Sequence, residues 1–495
     1  MWQATLGAAV LAGALASVAA PARAQEAMYD VVITGGRVID PETSLDAVRN
    51  VGITRGSIRA VSDAPLRGKR TIDARGLIVA PGFIDLHEHG QNPTAYSFEV
   101  RDGVTTALEL EIGVPDIDSW YAERLGGSPV NYGATVSHPR VRAAVMHDPS
   151  AFLPTGDAAH RASTPEEEKA LLAGIEKGLE RGALGVGFGL QYTPAASRAE
   201  VLEAFRLAAQ HHAAAFVHMR YMGGKEPSNA ISALQEVLAD AAVSGAALHV
   251  VHLHSTGLGA THTLLGMIAG ARARGMDVTT EAYPYTAGQT EIASAIFDEG
   301  WRQVMGISYD SLEWVKTGER LTAESFARYR REGGSVIVHS IPEPAMQEVI
   351  AAPWTIVASD GGLAPDSTGH PRATGTYSRV LGRFVREKQL LDWPTALAKM
   401  TLLPARRLEA RDSAMKHKGR LQPGADADIT VFDPGTVADQ GSYGHPAVPS
   451  AGIRYVLVNG VPVVDGGRLL DGVMPGKPVR APIESRPGGV PVSER

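Results

Sequence analysis

The chain of 495 residues contains no cysteine. That absence excludes disulfides, thiolate zinc sites, cysteine-ligated iron–sulfur clusters and a cysteine nucleophile. Any bound metal is left to His, Asp and Glu. A positive charge excess is missing too: 47 Lys and Arg face 54 Asp and Glu, a net charge of −7. That balance argues against a nucleic-acid partner or an anionic membrane surface. Aromatic residues are sparse at 6%, but 44% hydrophobic and 20% charged residues are the proportions of a globular chain, not a disordered one.

The one long apolar run lies at the start, from Leu6 to Ala20, followed by Ala22-Arg23-Ala24. It has the form of a signal-peptide core with an A-x-A cleavage site after Ala24, although Met-Trp-Gln supplies no charged side chain before it. The run is shorter than the ~20 residues of a membrane span. The expectation is export to the periplasm or medium, with no membrane insertion after residues 1–24 are removed.

Alternating apolar and polar residues around Gly-rich turns predict short antiparallel strands in Tyr29–Asp40 and Val51–Val61. The texture returns in Asp428–Asp433 and Ile453–Asp465. Between them, β-like runs alternate with amphipathic helices such as Pro165–Arg181 and Arg198–His211. The runs include Thr105–Leu110, Leu184–Leu190, Ala214–Met219, Ala247–Leu253, Val278–Tyr283, Ser335–His339 and Thr355–Ser359. The pattern predicts an α/β fold, a (β/α)8 TIM-type barrel over residues 83–415, with a small β-sandwich domain built from both chain ends, residues 25–82 and 416–477. The tail, 478–495, is rich in Pro, Gly and Ser and is expected to be poorly ordered.

Potential ligands fall at the predicted strand ends, where such barrels place their chemistry. His87 and His89 share a strand face and can bind one metal ion. Taken alone the pair is weak, since 16 His in 495 residues give about half an HxH by chance. Glu109 and Glu111 share a face of an otherwise apolar strand, and burying two carboxylates costs several kcal/mol unless they are paired or bound to metal. His218 with Arg220, His252 with His254, and Asp360 end three further runs. His249 has the opposite parity to His252 and reads as packing or surface. No lysine lies within a strand-like run, and only Lys225 falls just past one. A carboxylated lysine bridging two metals is therefore not expected, and Glu111 or Glu109 would have to supply a bridging carboxylate.

These features resemble the amidohydrolase superfamily, and within it the N-acyl-D-amino-acid deacylases. The resemblance is carried by APGFIDLHEHG, GVTT, GLQYTP, VHMR, YPYTAG, ASDG, HPRATGTYSRVLG and KMTLLPARRL in that order. It implies zinc, one or two ions per chain, held by His87, His89, Glu111, His218, His252 and Asp360, with Asp360 as the catalytic acid and base. The deacylases usually bridge their metals with a Cys shortly after GVTT, where this chain has Leu110-Glu111-Ile112-Gly113, so the resemblance points to Glu111 as the bridge, with Glu109 second. They often carry a Lys for the substrate carboxylate where this chain has His254. The expected substrate is a small-molecule amide: an N-acyl-D-amino acid or a dipeptide containing a D residue. For its α-carboxylate Arg379 and Tyr283 are first choices, then Arg220, Arg372 and Tyr285. His138, His254 and Tyr192 are candidates for a hydrogen bond to the oxyanion. A cyclic amide or lactone hydrolase and a non-catalytic binding protein on the same scaffold are the alternatives. The oligomeric state stays open.

Overall fold

The computed structural model describes residues 1–2, 28–150 and 152–484. The expected signal segment lies almost entirely outside the described residues. Eight parallel strands form one sheet in chain order. They are β1 Phe83–Asp85, β2 Val104–Val114, β3 Asn131–Ser137, β4 Gly185–Gly189, β5 Ala214–His218, β6 Ala247–Val250, β7 Val278–Ala282 and β8 Ile356–Val357. The first and last strands meet just beyond their ends. His89 N–H donates to the Gly361 carbonyl at 2.7 Å, and Gly361 N–H to that of His87 at 3.2 Å. The barrel thus closes at the segment that carries the HxH pair.

Helices Pro165–Glu180 and Arg198–Gln210 pack outside the strands. Thr164 and Glu167 cap the first reciprocally and Ser197 caps the second, which satisfies otherwise orphaned N–H groups. Apolar side chains fill the lower barrel: Ile84, Leu108, Leu184, Phe216 and Ile356, with Leu408 and Val479 in the same cluster.

The second domain is a nine-stranded sheet from both chain ends. Ile78–Pro81 lies at its centre, parallel to Met28–Asp40 on one side and antiparallel to Ile429–Phe432 on the other. The run Val51–Val61 is a hairpin, its turn at Arg55-Gly56, and Ile453–Asp465 is another, with Asn459 and Gly460 both at positive φ.

Two expectations need correction. Ser335–His339 supplies no barrel strand. Its Ser335–Val338 is the middle of a three-stranded antiparallel sheet, with Gly288–Glu291 and Leu312–Trp314, inserted between β7 and β8. The named runs do not include β3, where Asn131, Gly133 and Thr135 interrupt the apolar pattern. The tail also begins in order: Val479 N–H donates to Tyr132 O at 2.7 Å, and Val479 and Ala481 are buried.

One irregularity shapes the site. Glu109 pairs with Ala134 and Val114 with Val136, so residues 110–113 bulge out of register against β3. Gly113 has φ +71°, and a Cβ there would lie 2.8 Å from the Thr135 carbonyl oxygen. Gly113→Ala is expected to destabilise the protein by about 1–3 kcal/mol, read as a lower unfolding midpoint. An unchanged midpoint would show that the bulge accepts a side chain.

Candidate metal centre and active site

The bulge delivers Glu111 into the upper end of the barrel, where four imidazoles surround its carboxylate. Oε2 lies 3.1 Å from His87 Nε2 and 3.0 Å from His89 Nε2. Oε1 lies 2.7 Å from His218 Nδ1 and 3.0 Å from His252 Nε2. Asp360 Oδ1 faces the HxH pair at 3.4 and 3.7 Å. All six side chains offer atoms to compact donor groups: His87, His89 and Glu111; His87, His252 and Asp360; Glu111, His218 and His252. Asp360 and His252 both take positive φ, at 51° and 28°, a backbone cost tolerated where function requires a side chain's position.

A further layer holds these groups. Glu109, second choice for the bridge, accepts from His89 Nδ1 at 2.7 Å and from Gly113 N–H at 3.1 Å. Glu281, which sequence reasoning missed, contacts His87 Nδ1 at 2.5 Å and His249 Nε2 at 2.9 Å. A carboxylate on the far nitrogen of a ligating imidazole fixes its tautomer and orientation. The signal for Glu281 was present as a charged residue inside the apolar run Val278–Tyr283. His249 is therefore not a surface residue: it is buried inside the barrel. Parity misjudged it because the strand ends at Val250, and the turn at His252 breaks the alternation.

The donor set fits a divalent cation. Burial lowers the affinity of His87 for a proton, but Asp360, Glu111 and Glu281 more than offset this and raise its pKa well above the usual value. His89 is likewise lowered by burial yet pushed up to about 10, chiefly by Glu109. Burial raises Glu111, and the surrounding imidazoles overcome it, holding the carboxylate well below its ordinary range. Carboxylates that draw protons onto buried imidazoles leave a place for positive charge, which a metal ion fills when it displaces those protons.

A cavity of about 340 Å³ opens above the cluster, lined by His89, Glu111, His218, His252 and Asp360. Tyr192, Tyr283 and Arg372 also line it. Arg372 Nη1 bonds Asp360 Oδ2 at 2.8 Å, and its guanidinium lies 4.5 Å over the Tyr283 ring.

Five predicted substrate contacts are not among the lining residues. Arg379, a first choice, gives its guanidinium to Asp439 at 2.7 Å and to the Pro284 carbonyl at 2.8 Å. Tyr285 lies beneath Arg379 with its hydroxyl toward Pro371 O. Arg220 is bound by Glu236 at 2.7 Å and the carbonyls of Pro194 and Ala196, since β5 ends at His218 and its side chain leaves the inner face. His138 is fully buried on Glu200 at 2.8 Å. His254 packs edge-on against Tyr283, and burial lowers its pKa well below the usual value. None of the eight barrel strands carries a lysine.

Two outcomes follow. Zinc added to the metal-free protein at pH 8 should release about one proton, measured by titration in weak buffer, because His89, pushed up to about 10, loses its own; no release would contradict the assigned protonation. Glu281→Gln should weaken zinc binding about 10–100-fold while the fold persists, and unaltered affinity would remove Glu281 from the centre.

Residues 70–464 match the family model described as the amidohydrolase family. The D-aminoacylase of Alcaligenes xylosoxydans xylosoxydans is 31% identical over 487 residues, covering 88% of this chain and 94% of the relative. The N-acyl-D-glutamate deacylase of the same organism is 32% identical over 479 residues, covering 88% and 93%. A crystal structure of N-acyl-D-glutamate deacylase from Bordetella bronchiseptica, complexed with zinc and a phosphonate inhibitor mimicking the tetrahedral intermediate, superposes with a TM-score of 0.78. It is 29% identical and covers 92% of this chain and all of that one. With the family match spanning most of its length and a barrel whose strand ends converge on one carboxylate, the chain belongs to the amidohydrolase family.

Proposed function

We propose that the protein is a zinc-dependent hydrolase that cleaves the amide bond of N-acyl-D-amino acids, releasing a carboxylate and the free amino acid. The observation that carries this reading is the convergence of His87, His89, His218, His252 and Asp360 on Glu111 at the floor of a cavity. The same chemistry belongs by name to two relatives that match it over 88% of its length. When bound, zinc polarises a carbonyl and lowers the pKa of water from about 15.7 to roughly 7.

The chain's own groups supply the rest. Asp360 has one oxygen tied to Arg372 and the other facing the cluster. The second is placed to accept the proton of the attacking water and pass it to the departing amine nitrogen. Arg372 is suited to the α-carboxylate, since a guanidinium binds carboxylates through paired donors. Tyr283 beneath it restricts its position. Tyr192 is the remaining candidate donor toward the developing oxyanion; its hydroxyl sits 3.2 Å from Thr290 Oγ1. The polar centre thus lies at the end of a cavity whose other walls are largely apolar, which shelters the reacting charges from water.

The apolar run before Ala22-Arg23-Ala24 supports a further proposal, that the enzyme works outside the cytoplasm.

Paired D and L forms of N-acetyl amino acids, assayed with zinc, test the reading. Turnover of D forms alone is expected, and no stereoselective turnover would overturn it. Asp360→Asn should lower kcat by about 10²–10⁴-fold with zinc content retained. An unchanged kcat would remove Asp360 from proton transfer.

A further inference from the structure

The cavity wall supplied by the insertion between β7 and β8 contains a carboxylate for which the hydrolytic reaction has no use. Glu291 ends the inserted strand Gly288–Glu291, paired with Ser335, and lines the cavity beside the apolar Leu153 and Ile296. No Lys or Arg side chain pairs with it among the described residues, and the Leu153 N–H is the donor that faces it. Among the described residues the only Lys or Arg on the cavity wall is Arg372, already bonded to Asp360. Gln289 shares a strand face with Glu291, because side chains two apart point the same way. Its Oε1 is sheltered from solvent and has no donor.

The same strand spans the two charges. Arg372 lies at its start, with Nη2 3.5 Å from the Gln289 carbonyl, and Glu291 lies at its end. At ~3.3 Å per residue, two to three residues separate them by about 7–10 Å. The cavity therefore carries a guanidinium beside Gln289, whose Oε1 has no donor, and further along the strand a carboxylate faced by one backbone N–H and by no cation among the described residues.

We infer that Glu291, with Gln289, recognises an ammonium group on the substrate, so that the preferred substrates are zwitterionic: an α-carboxylate at Arg372 and a protonated amine at Glu291. A half-buried carboxylate gains most from a charged donor, and an ammonium offers three N–H groups for the two acceptors. The amine can belong to an aminoacyl group, as in a dipeptide with a C-terminal D residue, or to a basic D side chain. The inference rests on the hydrolytic reading above.

Two substrate pairs that differ only by the amine separate these sources: glycyl-D-methionine against N-acetyl-D-methionine, and N-acetyl-D-lysine against N-acetyl-D-norleucine. In at least one pair the ammonium form should have a kcat/KM higher by about tenfold, and Glu291→Gln should bring that ratio close to one. The pair that responds locates the amine. No preference in either pair, or a preference that survives Glu291→Gln, overturns the inference while leaving deacylation intact. Failure of all four compounds would instead overturn the hydrolytic reading and this inference with it.

Discussion

A single buried carboxylate, Glu111, is touched by four imidazoles at 2.7–3.1 Å, and the upper barrel is arranged to keep it there. In a low-dielectric interior such a group is costly unless positive charge surrounds it. The bulge in β2 turns it inward, Gly113 permits the bulge, and Gly113 N–H returns a hydrogen bond to Glu109. Glu109 and Glu281 then hold His89 and His87 from behind, so each histidine has one nitrogen committed and one directed at the centre. The closing of β8 onto β1 through Gly361 brings Asp360 to the same point.

Around that centre the fold separates rigid from adaptable parts. The six candidate ligands come from strand ends and the turns that follow directly, where the hydrogen-bonded barrel fixes backbone position. The cavity above them is completed by an insertion between β7 and β8, whose first strand contributes Gln289, Thr290 and Glu291. None of the six candidate ligands comes from the insertion, while Arg372 lies on the helix that follows β8. The insertion reaches the cluster through Thr290, whose hydroxyl lies 3.2 Å from that of Tyr192, the ring packed on His218.

The barrel and the cluster of candidate ligands were legible in the sequence because each member is a polar residue at the end of an apolar run. His87, His89, Glu111, His218, His252 and Asp360 all stand out this way. The missing cysteine sharpened the reading, leaving a carboxylate to take the central place. The substrate contacts were less legible. Strand parity stops being informative where the strand stops: Arg220 and His254 follow β5 and β6 but turn away from the cavity, while His249, one residue before the end of β6, points into the barrel. Arg372 and Arg379 lie on one helix seven residues apart, and only the tertiary positions of Asp360 and Asp439 decide which faces the cavity. Glu281 was hidden because a partner 194 residues away gives it its role.

The central claim is that Glu111 is the bridging carboxylate of a histidine-bound metal centre. Anomalous diffraction at the zinc edge from crystals of the zinc-loaded enzyme tests it most directly. The account predicts peaks within about 2.0–2.2 Å of a Glu111 oxygen and of His87 and His89, or of His218 and His252. A zinc peak at these histidines with Glu111 outside that distance, or ligated by Glu109 in its place, would contradict it.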